Sequence, residues 1–252
     1  MGTKHVYKTL VLLLIALIAF PASASEGYYS VPDEPDNNDE FRPIVTPVPI
    51  MTNDPEIDVE HAIQPIVIGS DTAPIKIIQY NSFTCNECAN FQRTAYSKIE
   101  RVLMHFGQVQ FEFHEFPFNT PSLQASMLAR CVPKDQYPFF MNILYEEQDE
   151  WAYRDDYLDR LKKYAKRAAI GDKRIESCLR NEELKDAIIE NIRKARDKYG
   201  IKRTPTFVMK YKDKDHKIIE GAKPYEYFRD AIIDLSDNPD DILKYDRYEF
   251  FE

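Results

Sequence analysis

Short apolar runs alternate along the chain with longer stretches in which apolar residues recur at three- and four-residue steps. Residues 74–82 are mostly β-branched and apolar between polar ends, the pattern of a buried strand. Ala89, Phe91, Ala95, Ile99, Val102, Leu103 and Phe106 follow at helical spacing, and Gly107 supplies the stop. Residues 109–116 alternate with a period of two and end at Pro117, which predicts a second strand. From 121 to 199 the spacing is helical. Leu123, Met127, Leu128 and Cys131 form one stripe, Phe139, Phe140, Ile143 and Leu144 a second, and Tyr157, Leu158, Leu161, Tyr164 and Ala165 a third. Ile175, Cys178 and Leu179 follow, then Leu184, Ile188, Ile189 and Ile192 on a last helix. Strands return at 206–211 and 217–220 around a turn at 212–215, and Pro224 opens a closing helix. This order predicts an α/β fold: a mixed sheet covered by helices and interrupted by a helical insertion at about 120–199.

The ends of the chain read differently. Residues 1–24 carry Lys4, His5 and Lys8, then an apolar run from Leu10 to Phe20, then an Ala-x-Ala end at Ala22–Ala24. That is the layout of a secretory signal peptide, with an uncleaved anchor as the alternative. Residues 25–64 mix recurrent prolines with Asp, Glu and Asn without a sustained period, which predicts a disordered leader. The folded body is expected at 65–237, with an acidic, aromatic tail at 238–252. The whole chain has 33 Lys and Arg against 42 Asp and Glu, a formal charge of −9. Cleavage would remove two lysines and no acid. Such a balance argues against nucleic acid or an anionic membrane as partner. All four cysteines lie beyond residue 24, in a compartment where disulfides persist.

Candidate chemistry centres on Thr84-Cys85-Asn86-Glu87-Cys88, at the junction of the first strand and the first long helix. A sulfur at a helix N-terminus meets unpaired amides and the positive end of the macrodipole, so its thiolate is favoured. A second sulfur three residues on can close a small disulfide ring with it. This is the layout of a dithiol–disulfide exchange centre. Half of a zinc site and a purely structural disulfide are the alternatives; a zinc site would need two further ligands. No His-x-His or second Cys-x-x-Cys is present, and neither metal nor cofactor is expected.

Joined to Gly200-Ile201-Lys202-Arg203-Thr204-Pro205-Thr206-Phe207 beyond the helical block, this centre resembles the DsbA family of secreted thiol oxidoreductases. The likeness covers about 65–235, and it implies a thioredoxin fold with an inserted helical domain. Carried over, Cys85 matches the attacking sulfur and Cys88 the resolving one. Pro205 matches the cis-proline that faces them, leaving the Thr204 backbone open to a substrate peptide. Some relatives carry a second disulfide in the helical domain, which implies a Cys131–Cys178 bridge; two buried free thiols are the alternative. Two departures stand out. Asn86-Glu87 replaces the Pro-His common in the family's oxidants, so Cys85 is expected to be less acidic and its disulfide less oxidising. Gln79 stands where many thioredoxin-like proteins carry a buried acid, which leaves Glu112 and Glu115 as candidate replacements.

The expected function is a periplasmic thiol:disulfide oxidoreductase that introduces or exchanges disulfides in cysteine-containing secreted proteins. A membrane redox partner would re-oxidise or reduce its centre. A disulfide reductase or isomerase, and a non-catalytic peptide-binding module, are the rival readings.

Overall fold

The computed structural model describes residues 57–212 and 214–238, together with Asp240 and Lys244. The expected signal peptide, the leader up to residue 56, the turn residue Asp213 and the rest of the tail lie outside the described residues.

Folded structure begins earlier than the expected boundary at residue 65. Asp58 caps a short helix α1 (Val59–Ala62), its carboxylate accepting the His61 amide at 3.0 Å. Ile57 and Val59 are buried in the main core. The prolines of the preceding stretch mask this signal, because Ile57 and Val59 form too short an apolar run to show a period.

Strands β1 (Ile66–Gly69), β2 (Ile75–Asn81), β3 (Val109–Glu115), β4 (Thr206–Tyr211) and β5 (Lys214–Glu220) form one sheet in the order β1-β3-β2-β4-β5. Only β2 and β3 pair in parallel, through the crossover helix α2 at 86–104; the other pairings are antiparallel. The hairpin is tighter than its composition predicts. Strand β5 starts at Lys214 rather than 217, with Tyr211 opposite Lys214 and a bulge beside Met209 and Lys210.

Register sorts the side chains cleanly. Ile77 of β2 lies opposite Phe111 and Met209, and Gln79 opposite Phe113 and Phe207, all on one face. Helix α2 packs there with the closing helix α9 (Tyr225–Leu235). Phe91, Phe207 and Phe228 meet at ring centroid distances of 4.5–5.3 Å. Helix α2 is not a regular α-helix. Two π-helical turns at Gln92–Tyr96 and Glu100–Met104 slip its phase, as in the 2.9 Å bond from the His105 amide to the Glu100 carbonyl. Tyr96 and Met104 are thereby turned inward, while Phe106, expected on the core stripe, is 39% exposed.

Between β3 and β4 run helices α3 (Thr120–Cys131), α4 (Tyr137–Glu146), α5 (Gln148–Trp151), α6 (Tyr157–Arg167), α7 (Asp172–Arg180) and α8 (Glu182–Tyr199). Ile192 and Ala195 of α8 cover Ile78, Tyr80 and Val208 on the second face of the sheet. A buried network joins insertion to sheet. Arg130 of α3 pairs with Glu115 at the end of β3 and donates to the Gln64 carbonyl at 2.7 Å, and the Tyr137 hydroxyl donates to Glu115 at 3.0 Å.

Cys131 and Cys178 are disulfide-bonded, 47 residues apart in sequence, and link the end of α3 to α7. The bond closes a long loop in the unfolded chain, so replacing both cysteines with alanine should lower stability by roughly 2–4 kcal/mol. Urea unfolding of the variant beside the parent, with Cys85 and Cys88 reduced in both, measures the loss; an unchanged midpoint would show that the bridge constrains nothing.

Candidate active site

Strand β2 is central in the sheet and ends at Asn81, where a tight turn (Cys85 amide to Ser82 carbonyl, 3.0 Å) delivers Cys85 to the start of α2. Cys85 is the N-cap. Its sulfur accepts the Cys88 amide at 3.2 Å and lies 3.4 Å from the Thr204 carbonyl, to which the thiol donates. Both cysteines are free thiols, Cys85 half-buried and Cys88 fully buried one turn along.

These surroundings split the two thiols. The Cys85 thiol is lowered from 9.0 to about 6, chiefly by the hydrogen bond from the Cys88 thiol and against its partial burial; the Thr204 side chain and the amides of Cys88 and Glu87 also favour the thiolate. Burial pushes the Cys88 thiol well up, and the neighbouring Cys85 adds to this by hydrogen bond and by charge. Glu87 acts on Cys85 through its backbone amide, which favours the thiolate.

Thr204 and Pro205 reach the site from the loop after α8, which ends at Gly200 in the left-handed conformation (φ 66°). The Thr204–Pro205 peptide is cis, and the Pro205 carbonyl is tied to the Gly221 amide at 2.8 Å. Cys131 and Cys178 lie in the inserted helices, apart from the Cys85–Cys88 pair. Among the described residues no three His, Cys, Asp or Glu side chains are grouped to hold a metal.

The loop at 82–86 is held from outside its own strand. Asn119, the N-cap of α3, accepts the Ser122 amide at 2.9 Å and the Thr84 hydroxyl at 3.3 Å, while Ser82 and Ser122 share a 2.7 Å hydrogen bond. The buried Gln148 amide donates to the Phe83 and Cys85 carbonyls at 2.8 and 3.1 Å. The Tyr153 hydroxyl donates to the Thr84 carbonyl at 2.8 Å and to the Asn86 side-chain oxygen at 2.5 Å. Gln148 is hidden in the sequence because 146–150 reads as solvated charge, and Tyr153 because nothing local marks it. A signal was there: Gln148 is three residues from both Tyr145 and Trp151, on their apolar stripe.

The candidate acids fare differently. Glu112 faces the side of the sheet away from Cys88 and pairs with His114 at 2.5 Å, which holds its carboxyl below the usual range. Glu115 lies on the same sheet face as Gln79, opposite Asn81 in register, but both its oxygens are engaged by Arg130 and Tyr137.

A protein-family comparison matches residues 61–234 to thioredoxin. A Rickettsia felis protein whose name marks it as a protein-disulfide oxidoreductase is 23% identical over 161 residues, 64% of this chain and 54% of that protein. A Bacillus anthracis relative, named for disulfide bond formation, is 27% identical over 129 residues, 48% of this chain and 58% of its own length. The chain thus spans little more than half of these relatives. Among solved structures, Wolbachia pipientis alpha-DsbA1 superposes with a TM-score of 0.64 at 28% identity, over 69% of this chain and 91% of that one. Bacillus subtilis BdbD shares the fold at a TM-score of 0.58 and 22% identity, over 68% of this chain and 92% of its own.

The geometry sets a pH dependence. Alkylation of Cys85 in the reduced protein should rise with pH through a midpoint near 6 and then level off. The folded-state value lies below the 9.0 of an unperturbed thiol, so ionisation stabilises the reduced fold fully above about 9. That contribution is lost as pH falls through 6. The Cys88 thiol, raised above 9.0, stays protonated below that pH, so unfolding of the reduced and oxidised forms across pH 5–8 checks the sign, and a difference that is flat with pH would contradict it.

Proposed function

The chain belongs to the thioredoxin family, in the DsbA-like group with helices inserted between sheet strands, and from that premise we propose that it is a thiol:disulfide oxidoreductase acting on cysteine-containing proteins. The observation that carries this reading is the division of labour between two free thiols three residues apart. One is accessible and acidic, and the other is buried and weakly acidic.

In the oxidised protein a substrate thiolate attacks the Cys85 sulfur. The Cys85–Cys88 bond breaks, a mixed disulfide forms, and Cys88 leaves with the electron pair and takes up a proton. A second substrate thiolate then attacks the substrate sulfur of the mixed disulfide and expels Cys85 as a thiolate. Two electrons pass from the substrate thiols to the cysteine pair. The lowered pKa of Cys85 speeds its departure, since a lower-pKa thiol is the better leaving group. In the opposite direction the Cys85 thiolate attacks a substrate disulfide, and Cys88 resolves the mixed disulfide.

The apolar N-terminal run and Ala-x-Ala end support export across a membrane, with a periplasmic site of action and a membrane redox partner that resets the pair. A Cys85 value of about 6, well above that of strong oxidants, favours a second direction of work, as a reductase or isomerase.

The reduction potential of the Cys85–Cys88 pair decides between them. A value near about −120 mV assigns an oxidase, and one at or below about −200 mV a reductase or isomerase. No reversible titration in glutathione buffers would leave a peptide-binding module. Cys88→Ala should accumulate a mixed disulfide with a substrate peptide, seen by mass, and Cys85→Ala should form none.

A further inference from the structure

Tyr153 lies in the turn between α5 and α6, and its ring is 60% exposed. Burial therefore does not explain its placement. The turn itself is fixed from below: Trp151, fully buried, donates its indole N–H to the Leu144 carbonyl at 2.8 Å, and the Ala152 amide closes on Gln148 at 2.8 Å. Tyr153 is thus carried on a rigid mount toward solvent, where its hydroxyl makes two hydrogen bonds, both to the cysteine loop.

A phenol has one proton to give. The hydroxyl donates to the Thr84 carbonyl, which accepts only. It also donates to the Asn86 side-chain oxygen at 2.5 Å, so its one proton is shared between two acceptors. Burial first, then the nearby Cys85 and Asp149, raise the Tyr153 hydroxyl against the smaller influence of Asn86, so it keeps the proton that both bonds need. Thr84 and Asn86 are the two residues that flank Cys85. One hydroxyl from the inserted helices therefore spans the attacking sulfur on both sides.

We propose that Tyr153 is a positioning residue: by holding Thr84 and Asn86 together it fixes the Cys85 sulfur against the Cys88 amide, so that the inserted helices set the reactivity of the pair. This rests on the oxidoreductase reading above. The alignment of sulfur and amide is the quantity at stake. A hydrogen bond to the thiolate weakens steeply as its angle opens, and the loop has freedom to open it once Thr84 and Asn86 are released. Gln148 holds the carbonyls of Phe83 and Cys85, one on each side of the Thr84 carbonyl that Tyr153 serves.

The test uses the full chain, reduced, as parent, Tyr153→Phe, Asn86→Ala and the double variant. Tyr153→Phe removes one oxygen from an exposed ring, so its thermal midpoint should match the parent's. Its Cys85 titration midpoint should rise, and its alkylation by iodoacetamide at pH 6 should slow by roughly threefold to tenfold, the scale of one hydrogen bond. Asn86→Ala reaches the same contact from the other side, and the double variant should be slowed by less than the product of the two single effects. An unchanged titration midpoint and rate in Tyr153→Phe, or single effects that simply multiply, would overturn the inference while leaving the oxidoreductase reading intact. A parent chain with no Cys85 titration below pH 8 would overturn both.

Discussion

Everything this site can do depends on the hydrogen bonds that Cys88 gives the Cys85 sulfur, from its thiol first and from its amide at 3.2 Å. The amide is one of the unpaired donors that every helix presents at its N-terminus. A sulfur placed there as the cap is stabilised as an anion without any neighbouring cation. The same turn sends Cys88 inward, where the absence of water works against ionisation. Two chemically identical side chains thus acquire opposite tendencies from a three-residue separation, and the turn that separates them must hold its place.

Three separate parts of the fold hold it. The sheet supplies the direction, since β2 lies between β3 and β4 and its end is pinned on both sides. The α3 cap supplies Asn119, which uses one side-chain oxygen to start its own helix and to receive Thr84. The inserted helices supply Gln148 and Tyr153, and they are themselves seated by the Arg130–Glu115–Tyr137 network. Breaking a buried pair of that kind leaves a desolvated charge at a cost of about 3–5 kcal/mol, so the insertion cannot drift from the sheet without losing much of the fold's stability. The insertion is therefore part of the catalytic scaffold rather than an appendage to it.

Much of this was legible in the sequence, for reasons that follow from period and spacing. Strands β2 and β3 declare themselves because β2 is a bounded run rich in β-branched and apolar residues and β3 alternates Val109, Phe111 and Phe113 with polar residues. Cys85–Cys88 declares itself because a strand-to-helix junction gives the spacing a chemical meaning. Other features left no periodic trace. The inward turn of Tyr96 comes from two π-helical turns, which a fixed period of 3.6 cannot anticipate. Gln148 was hidden by charged neighbours, although its spacing from Tyr145 and Trp151 marked it as inward-facing. Tyr153 could not be found at all, since its role arises from contacts nearly seventy positions away in sequence. Pairings of that range are fixed by tertiary packing, and a single sequence carries no local record of them.

The polar residues beneath the cysteines locate the difficult step. Gln79 and Asn81 are fully buried on the face of β2 that leads to Cys88, and their amides have no partner among the described residues. Neither can take a proton at any accessible pH. Glu115, on the same face of the neighbouring strand, already has both oxygens committed to Arg130 and Tyr137. Cys85 meets substrate with its thiolate already favoured, whereas Cys88 must ionise against burial and against the charge of Cys85. Attack by Cys85 relieves the second obstacle, because the mixed disulfide carries no charge at that sulfur. What remains is desolvation alone. The energetic burden of the cycle therefore falls on the resolving sulfur, and the amides of β2 keep it there where a carboxylate would have shared it.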